Sequence, residues 1–235
     1  MSIPRSCFVV NPEPSRAASG RLQRQTSILR YKRHMQTAAL DRLRDLIWDQ
    51  ARPVDKFGHQ PRLQALVEAV GAGLDYDHDV VLAAAWLHDL GVFVGNRPEN
   101  PEDLARWDHV AYACAHAPQI LRDSGFPEEK IPAVLQVIRE HQPKDEPTST
   151  EAIILRDADI LEQLGGIGIL RTVSKVGRDT RFPRFSDAVA ALRRSLEHLP
   201  GHIRLHTTRR LAEPRIVVLE AFLSAVEDEA GPNLF

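Results

Sequence analysis

Apolar residues in this chain recur every three or four positions, segment after segment, and that spacing leaves few folds open. In "PEEKIPAVLQVIREH" (127–141), Ile131, Val134, Leu135 and Ile138 fall at i, i+3, i+4 and i+7, one face of a helix. "AALDRLRDLIWDQ" (38–50) aligns Leu40, Leu43 and Ile47 in the same way. "PRLQALVEAVGAGL" (61–74) aligns Leu63, Leu66, Val67 and Val70, with Pro61 suited to a first helical turn. The pattern predicts further helices over 77–91, 108–125, 149–165, 185–199 and 207–229. Asp or Ser/Thr caps open several of them, Gly91, Gly125 and Gly165 close three, and Pro214 should kink or start the last. Residues 52–59 read as a connection, and the polar, proline-rich 96–107 as a loop or lid. Alternating period-two segments joined by hairpin turns are missing; "FVV" and "AIIL" are the strand-like runs, and the second lies within a helical pattern. The fold class expected is all-α, with about eight helices joined by short loops.

Length and charge divide the chain. Its 235 residues suffice for one domain with an extension, expected as a single helical domain over 36–230 behind a basic, poorly ordered segment over 1–35. Residues 1–40 carry seven Lys/Arg against one acid, whereas the remainder carries 23 basic and 31 acidic residues. A body this acidic is a poor binder of phosphate backbones, which argues against nucleic acid as a partner. No apolar run approaches the ~20 residues of a membrane span. Two cysteines, Cys7 and Cys114, cannot build a disulfide framework, so a reducing cytoplasm is the expected setting. The pattern is also compatible with a homodimer.

Against this background "AAAWLHDLGVF" (83–93) stands out. His88 and Asp89 end a run of small and apolar residues, and a buried carboxylate without a partner is costly. His59 precedes the helix that Pro61 would open, and His141 ends another. Asp159 lies among Ile153, Ile154, Leu155, Ile160, Leu161 and Leu164, so it should face the interior or a cavity. Taken singly, a histidine at a helix end can simply meet the C-terminal dipole, and Asp157 and Asp159 could both face solvent. Converging, these imidazoles and carboxylates would suit Mn, Fe, Zn or Mg, with water in the open positions.

The combination resembles the HD-domain superfamily, all-α metal-dependent proteins that are mostly phosphohydrolases. His59, His88-Asp89 and the distant Asp159 match its H…HD…D signature. "HQPRL" (59–63) is similar to the first-histidine segment and "AAAWLHDLG" (83–91) to the dyad segment. "EAIILRDADILEQLGGIGILR" (151–171) is similar to the last-ligand segment of one bacterial branch, with Asp159 rather than Asp157 in the ligand place. "TTRRLAEPRIVVLEAFL" (207–223) resembles that branch's C-terminal helix, and the resemblance spans roughly 52–228. It implies a compact helical bundle with a metal site in its core, and one or two divalent ions (Mn, Fe, Co, Mg or Zn). His59, His88, Asp89 and Asp159 would be ligands, and histidines at the places of His109 and His141 look like ligands of a second ion, with Asp89 bridging. Asp89, His109 and His141 would be the catalytic residues. His116 reads instead as a packing histidine, and His78 as solvated.

Two departures narrow the resemblance. "HDLGV" carries Val92 where many HD hydrolases have a lysine. Gln142 follows His141, so the doubled histidine of the cyclic-dinucleotide class is missing. Nearby cations are Lys56, Arg62, Arg171, Lys175 and Arg178, of which Arg62, Arg171 and Lys175 are expected to touch phosphate. The function implied is hydrolysis of a nucleotide or other small phosphate ester by metal-activated water. The same six ligands would also serve a di-iron oxygenase acting on a small polar substrate with O₂. A third reading is a non-catalytic HD module, which the retained ligands oppose.

Overall fold

A computed structural model describes residues 38–235; the basic segment over 1–35 and the "FVV" run lie outside the described residues. Among the described residues there is no β-strand, only an isolated bridge between Val94 and Arg97. The helices are α1 (38–50), α2 (Val54–Val70), α3 (His78–Leu87), α4 (Pro101–Ala105), α5 (His109–Asp123), α6 (Ile131–Arg139), α7 (Thr150–Glu162), α8 (Gly165–Val173), α9 (Phe185–His202) and α10 (His206–Ala230). No helix among them is long and apolar enough to cross a membrane.

The bundle is organised around α3. Every residue from Val80 to Leu87 is buried, so this helix has no polar face to give to solvent and must be surrounded. α2, α6 and α7 pack against it. Asp77 caps it through the Val80 amide, and Lys130 reaches from the start of α6 to both Asp77 and Asp79, at 2.9 and 3.0 Å. α7 is the second central element. Ile154, Leu155, Ala158, Ile160 and Leu161 are all inaccessible, and each aliphatic side chain so buried contributes about 1.5–3 kcal/mol before conformational entropy is subtracted. α2, α3, α6, α8, α9 and α10 all pack against α7.

Several expected boundaries shift. α2 begins at Val54 and runs straight through Pro61, so His59 lies inside a helix and not ahead of one. Losing one ladder bond at proline is offset by the buried Leu63, Val67 and Val70 stripe. α3 ends at Leu87, and a 3₁₀ turn over Leu90–Val92 follows; Gly91 is therefore no helix terminator. A Cβ on Gly91 would lie 2.6 Å from the His109 carbonyl oxygen, so glycine here permits close approach of the start of α5. The 96–107 segment contains α4, whose first amides are capped by the Asn100 side chain. α7 ends at Glu162, and Gly165, expected to close it, is instead the first residue of α8. Pro214 lies within α10, which is a single helix from His206. Gly125, at φ +72°, does end α5 as expected.

Asp157 is fully buried rather than solvent-facing. Its carboxylate accepts from the backbone amides of Arg204 and Leu205 at 3.0 and 2.9 Å. Leu205 cannot cap α10 with its own side chain, so Asp157 supplies the missing acceptor from a different helix.

Candidate metal centre

Five elements bring the sequence-marked residues together. α2 carries His59, the end of α3 carries His88 and Asp89, α5 starts at His109, His141 lies two residues beyond α6, and α7 carries Asp159. The Nε2 of His59 is 3.4 Å from that of His88, 3.8 Å from an Asp89 oxygen and 3.5 Å from an Asp159 oxygen. His88 Nε2 is 3.7 Å from the other Asp89 oxygen. The His88 and His141 rings lie 4.8 Å apart, edge to face. Two sets of donor atoms each lie within 4.8 Å of one another: His59, His88 and Asp89, and then Asp89, His109 and His141. Asp89 belongs to both.

The donor set fits a divalent ion. Ligands held at about 2.1 Å from a tetrahedral or octahedral ion are separated by about 3.0–3.4 Å, close to the shorter spacings here. The histidines are also oriented for it. His88 Nδ1 lies 2.9 Å from the Ala85 carbonyl and His141 Nδ1 2.6 Å from that of Ile138. A carbonyl can only accept, so each Nδ1 carries the proton and each Nε2 offers its lone pair to the cluster. His59 Nδ1 meets Glu162 Oε2 at 3.1 Å, which selects the same tautomer. Asp159 is steadied by the Gln163 amide at 3.0 Å.

Charge follows the same logic. Burial, aided for His88 by the neighbouring His59 and for His141 by His88, pushes both imidazoles below the ordinary histidine range. Burial does the same to His109. Neutral imidazole is the ligating form. Burial opposes ionisation of Asp89, but His88, His59 and Lys56 outweigh it and hold the carboxyl below its usual range.

A cavity of about 350 Å³ opens beside the donors, and Asp89, His109, His141 and Asp159 line it. Lys56, Arg171, Lys175 and Arg181 line it too. Two of the three residues expected to touch phosphate, Arg171 and Lys175, are thus cavity residues. Arg62 does not line the cavity. It follows His59 by three positions on the same helical face, so its guanidinium meets the same carboxylate, Glu162, at 3.1–3.3 Å. Arg178 turns back to the Ser174 carbonyl. His116 is exposed and stacked on Tyr112 at 3.9 Å, and His78 is the first residue of α3, beside Tyr76.

Sequence reading missed Glu162 and Arg181. Glu162 is 1 % exposed and is shared by His59, Arg62 and Arg171. Burial works to raise its carboxyl; bonds from His59 and Arg62 prevail and lower it. The available signal was its position, three residues after Asp159 on the same face of α7. Arg181 comes from an irregular segment, where no periodicity points to a site.

A family model for the HD domain matches residues 57–164. Residues 57–164 are an HD domain. The matched region holds all six donors and Glu162. Several solved structures share the fold. Bacillus subtilis YpgQ is 22 % identical with a TM-score of 0.67, covering 84 % of this chain and 98 % of its own. The same protein in complex with ADP gives 22 % and 0.66, with the same coverage. An HD-superfamily hydrolase from Bacillus thuringiensis is 19 % identical at 0.60, covering 83 % and 97 %. No curated protein matches the sequence significantly.

Proposed function

We propose that this HD-domain protein is a metal-dependent phosphohydrolase acting on a nucleotide or other small phosphate ester. The observation that carries this reading is a single cavity lined both by the ligating donors Asp89, His109, His141 and Asp159 and by the four cationic side chains Lys56, Arg171, Lys175 and Arg181. Phosphoryl transfer demands little covalent chemistry from a protein; positioning and charge neutralisation suffice. Cationic side chains beside the donors suit an anionic substrate, even with Arg171 already paired to Glu162 and Arg181 to Asp179. The complex of YpgQ with ADP supports a phosphate-bearing ligand by analogy of fold.

His59, His88, Asp89 and Asp159 would hold one ion, and Asp89, His109 and His141 a second. A divalent ion in such a site supplies a water acidic enough to act as nucleophile at neutral pH and offsets charge on a phosphoryl oxygen. The chain's own contribution is orientation. The Ala85 and Ile138 carbonyls and Glu162 keep the protons of His88, His141 and His59 on Nδ1, away from the cluster. Asp89 belongs to both donor sets, so it would serve both ions. His109 and His141 face the cavity beside Asp89, where the reacting phosphoryl group would sit. Arg171 and Lys175 would hold its non-reacting oxygens.

The test is metal analysis followed by phosphate release from a panel of phosphate esters with Mn²⁺, comparing wild type with His88→Ala and Asp89→Ala. Metal-stimulated release that both variants lose is the expected result. Variants retaining full metal and full activity would overturn the site. Two bound irons with O₂ consumption and no phosphate release would transfer the reading to the oxygenase.

A further inference from the structure

A second cavity, of about 320 Å³, adjoins the metal cavity and shares Lys56, Val92, His109 and Arg181 with it. Its remaining walls differ in kind. Pro101, Leu104, Ala105 and Trp107, all from the 96–107 segment, give it an apolar face, beside the polar Arg97, Asp179 and Thr180. The wall is built into the site. Trp107 Nε1 donates to the Gly91 carbonyl at 2.7 Å, and its ring packs on Tyr112. Gly91 is the residue whose close approach seats His109. Asn96 is likewise tied to the Leu90 carbonyl at 2.9 Å, and Asn100 caps α4. The segment is thus fastened to the turn that follows Asp89.

Two cations, Lys56 and Arg181, line both cavities. Arg181 is held by both oxygens of Asp179, at 3.0 and 2.7 Å, yet its side chain remains 70 % exposed. Donors and cations in one cavity, and shared cations beside an apolar face in the adjoining one, match a ligand with a phosphate at one end and an uncharged flat group at the other. Resting on the phosphohydrolase reading, we propose that this second cavity binds the planar ring of the substrate's organic part. The substrate class is then a ring-bearing phosphate ester, aromatic or heteroaromatic, and not a compact polar ester or inorganic pyrophosphate. The volume lies at the small end of ligand pockets and suits one ring system. Rejection of compact esters follows from the contacts they leave unmade.

The experiment separates the cavity from the chemistry. Equilibrium dialysis in EDTA, where metal-dependent turnover is suppressed, compares adenosine monophosphate with glycerol phosphate. Wild type should bind the ring-bearing ligand at least ten-fold more tightly. Leu104→Gln, which places a neutral polar group of similar size in the wall, should remove that preference and leave glycerol phosphate binding unchanged. Leu104 is on a helix without fully buried residues, and Leu104→Ala serves as a second, milder variant expected to lose several-fold. Equal affinity for the two ligands in wild type, or an undiminished preference in both variants, overturns the proposal. Absence of phosphate release with Mn²⁺ alongside a Leu104-dependent preference would sink the phosphohydrolase reading and leave the ring site standing.

Discussion

Replacing Glu162 by Gln should weaken metal binding although Glu162 itself is no ligand. The carboxylate takes His59 Nδ1 at 3.1 Å, and Arg171 Nη1 stands 3.1 Å from the same oxygen and 3.0 Å from that Nδ1. With Glu162 ionised, Nδ1 keeps its proton and Nε2 faces the cluster as a lone pair. An amide in its place donates as well as accepts and carries no charge to hold the proton at Nδ1. Arg171 is then positioned to donate to Nδ1, which forces the imidazole proton to Nε2, pointing it at Asp89 and Asp159. Losing an outer partner of this kind costs typically 10–100-fold in metal affinity, or about 1.4–2.7 kcal/mol. Stability should fall as well, because Arg62 and Arg171 lose a shared buried partner. Both guanidinium groups reach solvent, so the loss is discounted to about 1–2 kcal/mol. Titration calorimetry with Mn²⁺ reads the first quantity and thermal unfolding of the apo protein the second. Arg62→Gln is the control: it removes an ion pair but leaves the His59–Glu162 bond, so it should lose stability and keep metal affinity within a few-fold. A Glu162→Gln protein that binds Mn²⁺ as tightly as wild type would refute the tautomer argument.

Three other outcomes follow from the geometry. Gly91→Ala puts a Cβ 2.6 Å from the His109 carbonyl oxygen; the start of α5 must move, and the second of two metal equivalents should be lost before the first, as read by titration. Asp157→Ala leaves the Arg204 and Leu205 amides without their acceptor; a cost of about 1–2 kcal/mol should lower the Tm by about 2–8 °C without changing metal content. Burial, and then the charges of Lys56, Arg181 and Arg171, bring the Lys175 ammonium down from 10.5 to about 8. Its charge is therefore present below pH 8 and lost above it, so phosphate affinity should decline as pH rises through 8, and Lys175→Arg should abolish that decline. The stability effect has the opposite sense: between about 8 and 10.5 the unfolded chain binds the extra proton, so this group makes stability rise with pH there.

Helical content and the apolar stripes were legible because each rests on local pattern, whereas the six candidate donors came together only through the resemblance to the HD-domain superfamily. α6 and α7 are helices wherever their neighbours lie, and the His88-Asp89 pair is conspicuous because its run is otherwise apolar. Side-chain partnership was not legible in the same way. Nothing local to Arg62 says that it shares an acid with His59, and nothing around Asp157 says that it caps a helix starting 49 residues later. Proline misled twice: Pro61 and Pro214 each lie within a helix that tertiary burial carries through the missing bond.

By itself the sequence determined the helical periods, the polar residues stranded in apolar surroundings and so the kinds of atom available for chemistry. These depend on neighbours three or four residues away. The tertiary structure alone decided which charges neutralise one another and which remain to face a ligand. It placed Glu162 behind His59, kept Arg62 out of the cavity and brought Arg181 into it. Those outcomes turn on distances between segments up to a hundred residues apart, and electrostatic partnership is set by distance in space and by burial, neither of which a linear pattern encodes.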